Sequence, residues 1–185
     1  MSTHRPSGLY LLTPDRTDTA QLLAETHIAL DAGIAWLQYR NKSADMQLRH
    51  AQALALRELC DGYDVPLVIN DDMHLAHTIG AAGVHLGEHD ADLAAARVLL
   101  GPDALIGASC YDSIERARDA VAAGASYIAF GAFFATDTKE TTRRPELIEL
   151  TIWQETMETP CVAIGGITVE NAAVVAAAGA DFVAV

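Results

Sequence analysis

The stretch Leu67-Val68-Ile69-Asn70-Asp71-Asp72, followed by Gly83-Val84-His85-Leu86-Gly87-Glu88-His89-Asp90, decides the fold of this chain. Each half is a short apolar run that is typical of a buried strand and ends in acidic residues. Met73 to Ala82, between them, has the length of a helix. Strands joined through a helix run parallel, so their carboxyl ends meet at one edge of a sheet. We therefore expect Asp71 and Asp90 to share a cation such as Mg²⁺ there, beside a phosphorylated ligand.

The same alternation of apolar runs and helix-length stretches extends along the whole chain. The predicted strands are Leu9–Leu12, Ile34–Tyr39, Pro66–Ile69, Gly83–Leu86, Ala104–Ala108, Tyr127–Phe130, Cys161–Ile164 and Phe182–Val185. Glycines at 33, 80, 124 and 179 mark the predicted helix ends, Ser43 is a predicted N-cap, and Thr168 is predicted to open the seventh helix. Eight such units predict an α/β fold of the (β/α)₈ TIM-barrel type. A doubly wound open sheet is the rival, but no G-x-G-x-x-G follows the first strand.

We predict one TIM-barrel domain over residues 1–185. The sequence ends within the eighth predicted strand, so the eighth helix of a complete barrel is absent from it. The predicted domain is therefore incomplete at its carboxyl end.

Composition narrows the class of function. The formal net charge of −13 argues against a nucleic-acid partner, whose phosphates would be repelled. We see no signal peptide and no apolar run of the roughly 18 residues needed to cross a membrane, so we expect a cytoplasmic protein. The three cysteines are predicted to be buried, reduced thiols. The sequence leaves a homodimer open.

Charged and polar residues cluster where the predicted strands end. Gln38, Arg40 and Lys42 alternate after the second strand, which predicts a shared face whose two cations suit an anion; a solvated strand end is the alternative. Asp71 and Asp90 follow the third and fourth strands, and either could instead cap the next helix. Capping explains one acid per loop, but not acids in two neighbouring loops beside two cations.

Two further loops suggest a phosphate site. Thr136, Thr138 and Lys139 place two hydroxyls and an ammonium group close together after the sixth strand. Gly165-Gly166 follows the seventh strand, where backbone N–H groups of a barrel often approach a phosphate, although a tight turn would explain these glycines too. His74 and His77 are predicted to lie on a helix surface, while His85 lies in a strand beside the acids and suits a polar role. Arg143 and Arg144 could reach an anion, and their role stays open.

Taken together, the chain resembles the thiamine phosphate synthase (thiamine-phosphate pyrophosphorylase) family along nearly its whole length. The matching segments, in the family's order, are Tyr10-Leu11-Leu12-Thr13, Leu37-Gln38-Tyr39-Arg40-Asn41-Lys42, Ile69-Asn70-Asp71, Gly83–Asp90, Ile106-Gly107-Ala108-Ser109, Thr136-Asp137-Thr138-Lys139 and Ala163-Ile164-Gly165-Gly166-Ile167. Each segment alone is a weak signal, but seven in order are very specific.

The resemblance implies a (β/α)₈ transferase that joins 4-amino-2-methyl-5-pyrimidinylmethyl diphosphate to 4-methyl-5-thiazolyl-ethyl phosphate, in its carboxylated form, to give thiamine phosphate and pyrophosphate. It implies Mg²⁺ as the cofactor and small phosphorylated molecules as partners. In this family the bond to diphosphate is thought to break before the thiazole nitrogen attacks, so negative charge grows on the leaving group and must be stabilised there.

The resemblance also assigns roles to residues. Asp71 and Asp90 would hold Mg²⁺, and the catalytic groups would be those of Arg40, Lys42, Ser109 and Lys139. The implied substrate-binding residues are Gln38, Tyr39, Arg40, Asn41, Lys42, Asn70, Ser109, Thr136, Asp137, Thr138, Lys139 and Gly166.

The chain departs from the family pattern in three places. Ala135 stands where proline is common, and Glu88 and His89 replace a commoner glutamine and acidic residue. The thiazole-phosphate contacts that the family places after its eighth strand lie beyond Val185. Two rival readings are a sister thiazole tautomerase and a non-catalytic phosphate-binding barrel. The tautomerase would carry a catalytic histidine where this chain has Tyr111.

Overall fold

Eight strands and seven helices alternate in the computed structural model, which describes residues 5–88, 90, 92–135 and 143–185. The strands are β1 (Gly8–Leu12), β2 (Trp36–Tyr39), β3 (Leu67–Asn70), β4 (Gly83–Leu86), β5 (Leu105–Tyr111), β6 (Tyr127–Gly131), β7 (Cys161–Ile164) and β8 (Phe182–Ala184). The helices are α1 (Thr19–Asp31), α2 (Met46–Asp61), α3 (Met73–Ile79), α4 (Leu93–Leu100), α5 (Ile114–Ala122), α6 (Leu147–Thr156) and α7 (Ala172–Ala177).

The strands form a closed, all-parallel barrel in sequence order. Each strand pairs with the next, and β8 returns to β1 through the pairs Gly8 with Phe182 and Tyr10 with Ala184. This confirms the predicted (β/α)₈ TIM barrel. Among the described residues, no helix has both the length and the apolar character needed to cross a membrane.

Side chains alternate between the barrel interior and the layer beneath the helices, because successive residues of a strand point to opposite faces. The interior cluster includes Tyr10, Trp36, Val68, Tyr127 and Phe182. Their neighbours in the same strands pack outward against the helices in two larger apolar clusters. The barrel is therefore filled with aromatic side chains in its lower part, which leaves any cavity at the carboxyl ends of the strands.

Two local predictions are wrong at helix starts. Ser43 does not cap α2; Asp45 does, accepting a hydrogen bond of 2.8 Å from the backbone N–H of Leu48. The Ser43 hydroxyl instead donates to the side chain of Asn41. The seventh helix begins at Ala172 rather than Thr168, because residues 168–171 form a turn closed by hydrogen bonds from the backbone N–H groups of Asn171 and Ala172 to the Thr168 carbonyl.

The glycines predicted at helix ends adopt the left-handed backbone that this role requires. Gly33, Gly80, Gly124 and Gly179 all have positive φ, between 65° and 116°. The predicted buried thiols are also confirmed: Cys60, Cys110 and Cys161 are buried and unpaired. Burial raises the pKa of each thiol to about 12.

Candidate functional site

Four polar side chains occupy inward-facing positions near the carboxyl ends of neighbouring strands. They belong to Gln38 of β2, Asn70 of β3, His85 of β4 and Ser109 of β5. Strand register places Asn70 directly beside His85, whereas Gln38 pairs with Val68, two residues before Asn70. Ser109 was predicted to follow β5, but that strand continues to Tyr111, so the hydroxyl is held in the sheet. The interior of the barrel is thus apolar below and polar at its mouth.

A cavity of about 610 Å³ opens at this mouth. Its lining combines those four residues with apolar side chains and the loops after β1, β6 and β7, namely Leu12, Thr13, Pro14, Asp15, Arg40, Tyr111, Ala129, Gly131, Ala132, Ile164, Gly165, Gly166, Ile167, Ala184 and Val185. We call it the ring cavity, because it lies inside the ring of strand ends; apolar walls with a few buried polar groups are typical of small-molecule sites.

A second cavity of about 410 Å³ lies beside the first, over β2 and β3. Arg40 and Asn70 line both cavities, while Lys42 and Asp71 line only the second. We call it the charged cavity. The structure therefore brings the predicted cations and the first predicted metal ligand together, directly beside the ring cavity.

The residues after β2 are held in place by the loop after β1. The Thr13 hydroxyl exchanges hydrogen bonds with the backbone of Arg40, at 3.0 Å from the amide and 3.1 Å to the carbonyl. Asp15 accepts a hydrogen bond of 3.0 Å from the Lys42 backbone and lies 3.5 Å from the Arg40 guanidinium. Because β2 ends at Tyr39, these contacts, rather than strand alternation, set the positions of Arg40 and Lys42.

Asp71 and Asp90 do not cap helices. The caps of α3 and α4 are Asp72 and Asp92, whose carboxylates accept from the backbone N–H groups of Leu75 and Ala94. Asp71 instead adopts φ of 63°, an uncommon conformation for a residue with a side chain, and its N–H donates to the His85 carbonyl at 2.8 Å. Asp90 accepts a hydrogen bond of 2.6 Å from the Gly87 N–H, which turns its carboxylate back toward β4.

The two carboxyl groups interact directly. Partial burial, a hydrogen bond with Asp90 and the negative charge of Asp90 together raise the pKa of Asp71 from 3.8 to about 6. The Lys42 ammonium and the Asn70 side chain oppose this rise. The predicted proximity of Asp71 and Asp90 is thus confirmed.

The carboxylates of Asp71 and Asp90 fit Mg²⁺ as ligands because of their mutual repulsion. Two carboxylates that repel each other and share a proton gain from a divalent cation in the proton's place. Across the described ranges, no cluster of three or more His, Cys, Asp or Glu side chains could hold a metal. Mg²⁺ usually takes one or two carboxylates and completes its shell with water and substrate phosphate, so two acids suffice. Magnesium binding itself stays a prediction.

Tyr39 and Asn41 use their polar groups inside the protein. The Tyr39 hydroxyl donates to Gln52 at 2.8 Å, and the Asn41 amide donates to the Arg16 carbonyl and to Gln52. Both residues are nearly fully buried, although they also contribute to the wall of the charged cavity. They fasten the end of β2 to α2, and their predicted substrate contacts stay untested.

The loop after β7 packs tightly on the loop after β6. Gly165 and Gly166 have φ of 99° and 63°, and a Cβ at Gly166 would lie 2.2 Å from the Ala135 carbonyl oxygen. Asn171 fixes the loop by donating to the Gly166 carbonyl at 3.0 Å. The two loops predicted to bind the second phosphate are therefore adjacent at Ala135. Thr136, Asp137, Thr138, Lys139 and His89 lie outside the described residues.

Glu88 links three elements at the rim of the barrel. Its carboxylate lies 2.7 Å from Arg116 of α5 and 2.8 Å from Arg143, which precedes α6. The Arg143 guanidinium also lies over the ring of Tyr111, at 4.7 Å from its centroid. Arg143, whose role the sequence left open, thus joins the end of the β6–α6 connection to the β4–α4 loop.

Sequence reasoning missed several residues that build the mouth. Thr13 closes the first matching family segment and Asp15 carries no motif signal, but nothing local indicates their partners, because each contact joins residues 27 positions apart. Tyr10 and Tyr127 read as ordinary core aromatics. A period-2 count of inward positions would have placed Tyr10, Gln38, His85, Ser109 and Tyr127 on one surface.

A closed parallel barrel with its polar and charged side chains at the carboxyl ends of the strands belongs to the class in which enzymes build their active sites. A family model described as thiamine monophosphate synthase matches residues 9–185. The chain belongs to this family.

Similar proteins agree with that assignment. The chain is 59% identical to a thiamine-phosphate synthase from Xanthomonas campestris pv. campestris, covering 96% of this chain and 85% of that protein. It is 54% identical to a thiamine-phosphate synthase from Xylella fastidiosa, covering 98% and 76%. The solved structure of a thiamine phosphate pyrophosphorylase from Pyrococcus furiosus matches with a TM-score of 0.83 and 32% identity, over 96% of this chain and 84% of that one.

Proposed function

We propose that this chain catalyses the condensation of 4-amino-2-methyl-5-pyrimidinylmethyl diphosphate with 4-methyl-5-thiazolyl-ethyl phosphate, in its carboxylated form, to give thiamine phosphate, pyrophosphate and CO₂. The observation that carries this proposal is the adjacency of the ring cavity and the charged cavity, which share Arg40 and Asn70. A molecule with an aromatic ring and a diphosphate can occupy both at once. The names of relatives at 54–59% identity support the same reaction.

The diphosphate would lie in the charged cavity. Arg40 and Lys42 are positioned there by Asp15 and Thr13, so the positive charge is in place before the ligand arrives. Asp71 and Asp90 would hold Mg²⁺, which supplies further positive charge to the leaving pyrophosphate. Asn70 donates to the Asp71 carboxylate, and both residues line the charged cavity.

The pyrimidine ring would lie in the ring cavity between apolar walls from Leu12, Ile164 and Ala184. Its carbon–oxygen bond to diphosphate breaks first, and the electron pair leaves with the oxygen. The thiazole nitrogen then forms the new bond to the methylene carbon. The ring carboxylate leaves as CO₂, its bonding electron pair stays on the ring carbon, and that carbon takes up a proton. Arg40 and Lys42 stabilise charge where it grows on the leaving group, and the apolar walls exclude water from the transient cation.

The second phosphate would bind where the loops after β6 and β7 meet. Gly166 lets these loops approach each other at Ala135, and the predicted contacts of Thr136, Thr138 and Lys139 follow directly in the chain. The thiazole would then lie beside the ring cavity, on the opposite side from Asp71.

The test is to incubate the protein with both phosphorylated substrates and Mg²⁺ and to detect products by mass spectrometry. We expect thiamine phosphate and pyrophosphate in equal amounts, with either form of the thiazole tried separately. Thiazole isomerisation without condensation would instead indicate a tautomerase. Binding of either substrate without any reaction would indicate a non-catalytic barrel.

A further inference from the structure

A continuous chain of hydrogen bonds crosses the barrel interior beneath the ring cavity. Gln38 Nε2 donates to the Tyr10 hydroxyl at 2.8 Å, and that hydroxyl lies 2.8 Å from the hydroxyl of Tyr127. The Tyr127 hydroxyl lies 3.1 Å from His85 Nδ1, and His85 Nε2 lies 3.0 Å from Ser109 Oγ. Five strands contribute one side chain each. The two ends of the chain, Gln38 and Ser109, both line the ring cavity.

The middle of this chain is built into the core. Tyr10 and Tyr127 are 1% and 0% exposed, and Trp36 packs against both rings at centroid distances of 5.5 Å and 4.9 Å. Burial raises the pKa of both tyrosines well above the ordinary value, so each keeps its proton and can donate it. The tyrosines do not reach the lining of the cavity, so the condensation reaction does not explain them directly.

Gly107 makes the central contact possible. It occupies the inward position of β5 beside this contact, and a Cβ there would lie 2.1 Å from Tyr127 Cζ and 2.5 Å from His85 Nδ1. Any larger residue would push the tyrosine and the histidine apart. The absence of a side chain at Gly107 therefore allows the hydrogen bond between the Tyr127 hydroxyl and His85 Nδ1.

The direction of every hydrogen bond in this series follows from the Gln38 amide, which is the first donor. Because the Gln38 amide donates to Tyr10, the Tyr10 proton passes to Tyr127, and the Tyr127 proton passes to His85 Nδ1. A histidine that accepts at Nδ1 and is neutral carries its proton on Nε2, which then donates to Ser109 Oγ. The Ser109 hydroxyl is left with its own proton to give. At the other end, Gln38 Oε1 accepts no hydrogen bond from any residue within the described ranges.

We propose that this chain of hydrogen bonds fixes the Nε2–H tautomer of His85. It therefore presents two groups of fixed hydrogen-bonding character to the ring cavity: an acceptor, Gln38 Oε1, and a donor, the Ser109 hydroxyl. The complementary ligand is a heteroaromatic ring that carries an amino donor and an unprotonated ring nitrogen. A 4-oxo ring offers the reverse pattern, so its oxygen acceptor would face the Gln38 acceptor and its ring N–H donor would face the Ser109 donor. Tyr10, Tyr127 and His85 are positioning residues for this discrimination. The proposal deepens the proposed function and rests on it for the identity of the ring.

The reversed chain is the competing arrangement. If the Gln38 amide is turned, its oxygen accepts from Tyr10, every proton shifts by one bond, and His85 carries its proton on Nδ1. The cavity would then present an amide donor and a hydroxyl acceptor, which suits a 4-oxo ring. The two arrangements predict opposite tautomers of His85, which differ in the ring nitrogen that carries the proton.

The first experiment measures the tautomer of His85 in the intact protein. Two-bond ¹H–¹⁵N correlation spectra of histidine-labelled protein distinguish a protonated Nε2 from a protonated Nδ1, and a His85→Gln variant assigns the signal. We expect the Nε2–H form at pH 8. The Nδ1–H form would overturn the proposal. This readout needs no substrate, so it stands even if the protein makes no thiamine phosphate.

The second experiment breaks the chain at its centre. Calorimetry would compare the binding of 4-amino-5-hydroxymethyl-2-methylpyrimidine with that of its 4-oxo counterpart. We expect the wild type to prefer the amino compound by roughly 100-fold, since buried groups facing an unmatched ligand are left unpaired. In Tyr127→Phe, which keeps the ring and loses the hydroxyl, this preference should fall at least tenfold. Tyr63→Phe, which removes a hydroxyl from the surface contact with Asp31, is the control and should leave it unchanged.

The outcomes separate the two proposals. An unaltered preference in a folded Tyr127→Phe variant, or equal binding of both rings by the wild type, would refute the role of the chain. If the wild type prefers the amino ring but forms no product with both substrates present, the proposed function fails and the donor–acceptor pattern stands.

Discussion

At the scale of single residues, Asp71 occupies a position that suits ligand binding and lowers the folding stability of the protein. It adopts a left-handed backbone conformation and lies half-buried beside a second carboxylate. Its pKa of about 6 means that the native protein holds this proton more tightly than the unfolded chain does. Folding stability from this group is therefore present at low pH and is lost as the pH rises through about 6.

This linkage gives a prediction for Asp71→Asn. Asparagine tolerates the same backbone conformation and carries no charge, so the variant avoids the repulsion from Asp90. We expect its melting temperature to equal that of the wild type near pH 4 and to exceed it above pH 7 in metal-free buffer. Thermal unfolding across this pH range measures the difference. Asp64→Asn is the control, because Asp64 also has positive φ (55°) but lies exposed outside the mouth. A difference independent of pH would contradict the assignment.

The sequence predicted which residues carry the chemistry of the mouth, but it did not predict the contacts that hold these residues in position. Asp71, Asp90, Arg40 and Lys42 were all recognised by their order along the chain, and the structure brings Arg40, Lys42 and Asp71 to one cavity, with Asp90 beside Asp71. Thr13 and Asp15, which orient these cations, were not recognised. Their role depends on a contact between two loops that no local pattern records.

At the scale of elements, Arg97 holds the opposite end of the barrel together. Its guanidinium donates five hydrogen bonds to backbone carbonyls and one to a hydroxyl, at Gly101, Pro102, Ala104, Gly124 and Ser126. This single side chain of α4 ties together the loops that lead into β5 and β6. Planar geometry with five N–H groups is specific to arginine.

We predict that Arg97→Lys lowers the free energy of unfolding by about 2–3 kcal/mol, because a lysine cannot satisfy carbonyls in several directions. Urea denaturation measures this change. The rate of condensation should stay unaltered, since the residue lies far from the mouth. Arg118→Lys, on the exposed face of α5, is the control and should change stability by less than about 0.5 kcal/mol. Equal effects from the two substitutions would contradict the account.

The loop after β7 provides a second prediction at this scale. In Gly166→Ala the new methyl group would meet the Ala135 carbonyl oxygen at 2.2 Å and force the two loops apart. We expect KM for the thiazole phosphate to rise about tenfold, a cost of about 1.4 kcal/mol, with little change for the pyrimidine diphosphate. Steady-state kinetics with each substrate varied in turn checks this.

Gly101→Ala is the matched control for that substitution. Gly101 also has positive φ (90°), but nothing lies within 4 Å of its added Cβ, and it is at the other end of the barrel. If both alanine variants change KM alike, backbone strain rather than loop contact is responsible.

At the scale of the whole molecule, the eightfold alternation of strands and helices was predictable because each strand is a compact apolar run and each helix end carries its glycine. Strand limits were less predictable. β5 extends three residues past its predicted end, and β2 begins two residues late, since pairing with neighbouring strands decides where a strand stops. The hydrogen-bond chain from Gln38 to Ser109 was not predicted at all, because only barrel closure brings Tyr10 and Tyr127 together.

The central claim is that the paired cavities make thiamine phosphate, with Asp71 on the metal side of the leaving group. The most direct measurement is the Mg²⁺-dependent release of pyrophosphate and thiamine phosphate from the two substrates by wild-type protein and by Asp71→Asn. The account predicts equal amounts of both products from the wild type. It also predicts a rate at least 100-fold lower from the variant, although the variant folds with equal or greater stability. Wild-type protein that forms no thiamine phosphate, or a variant as active as the wild type, would contradict it.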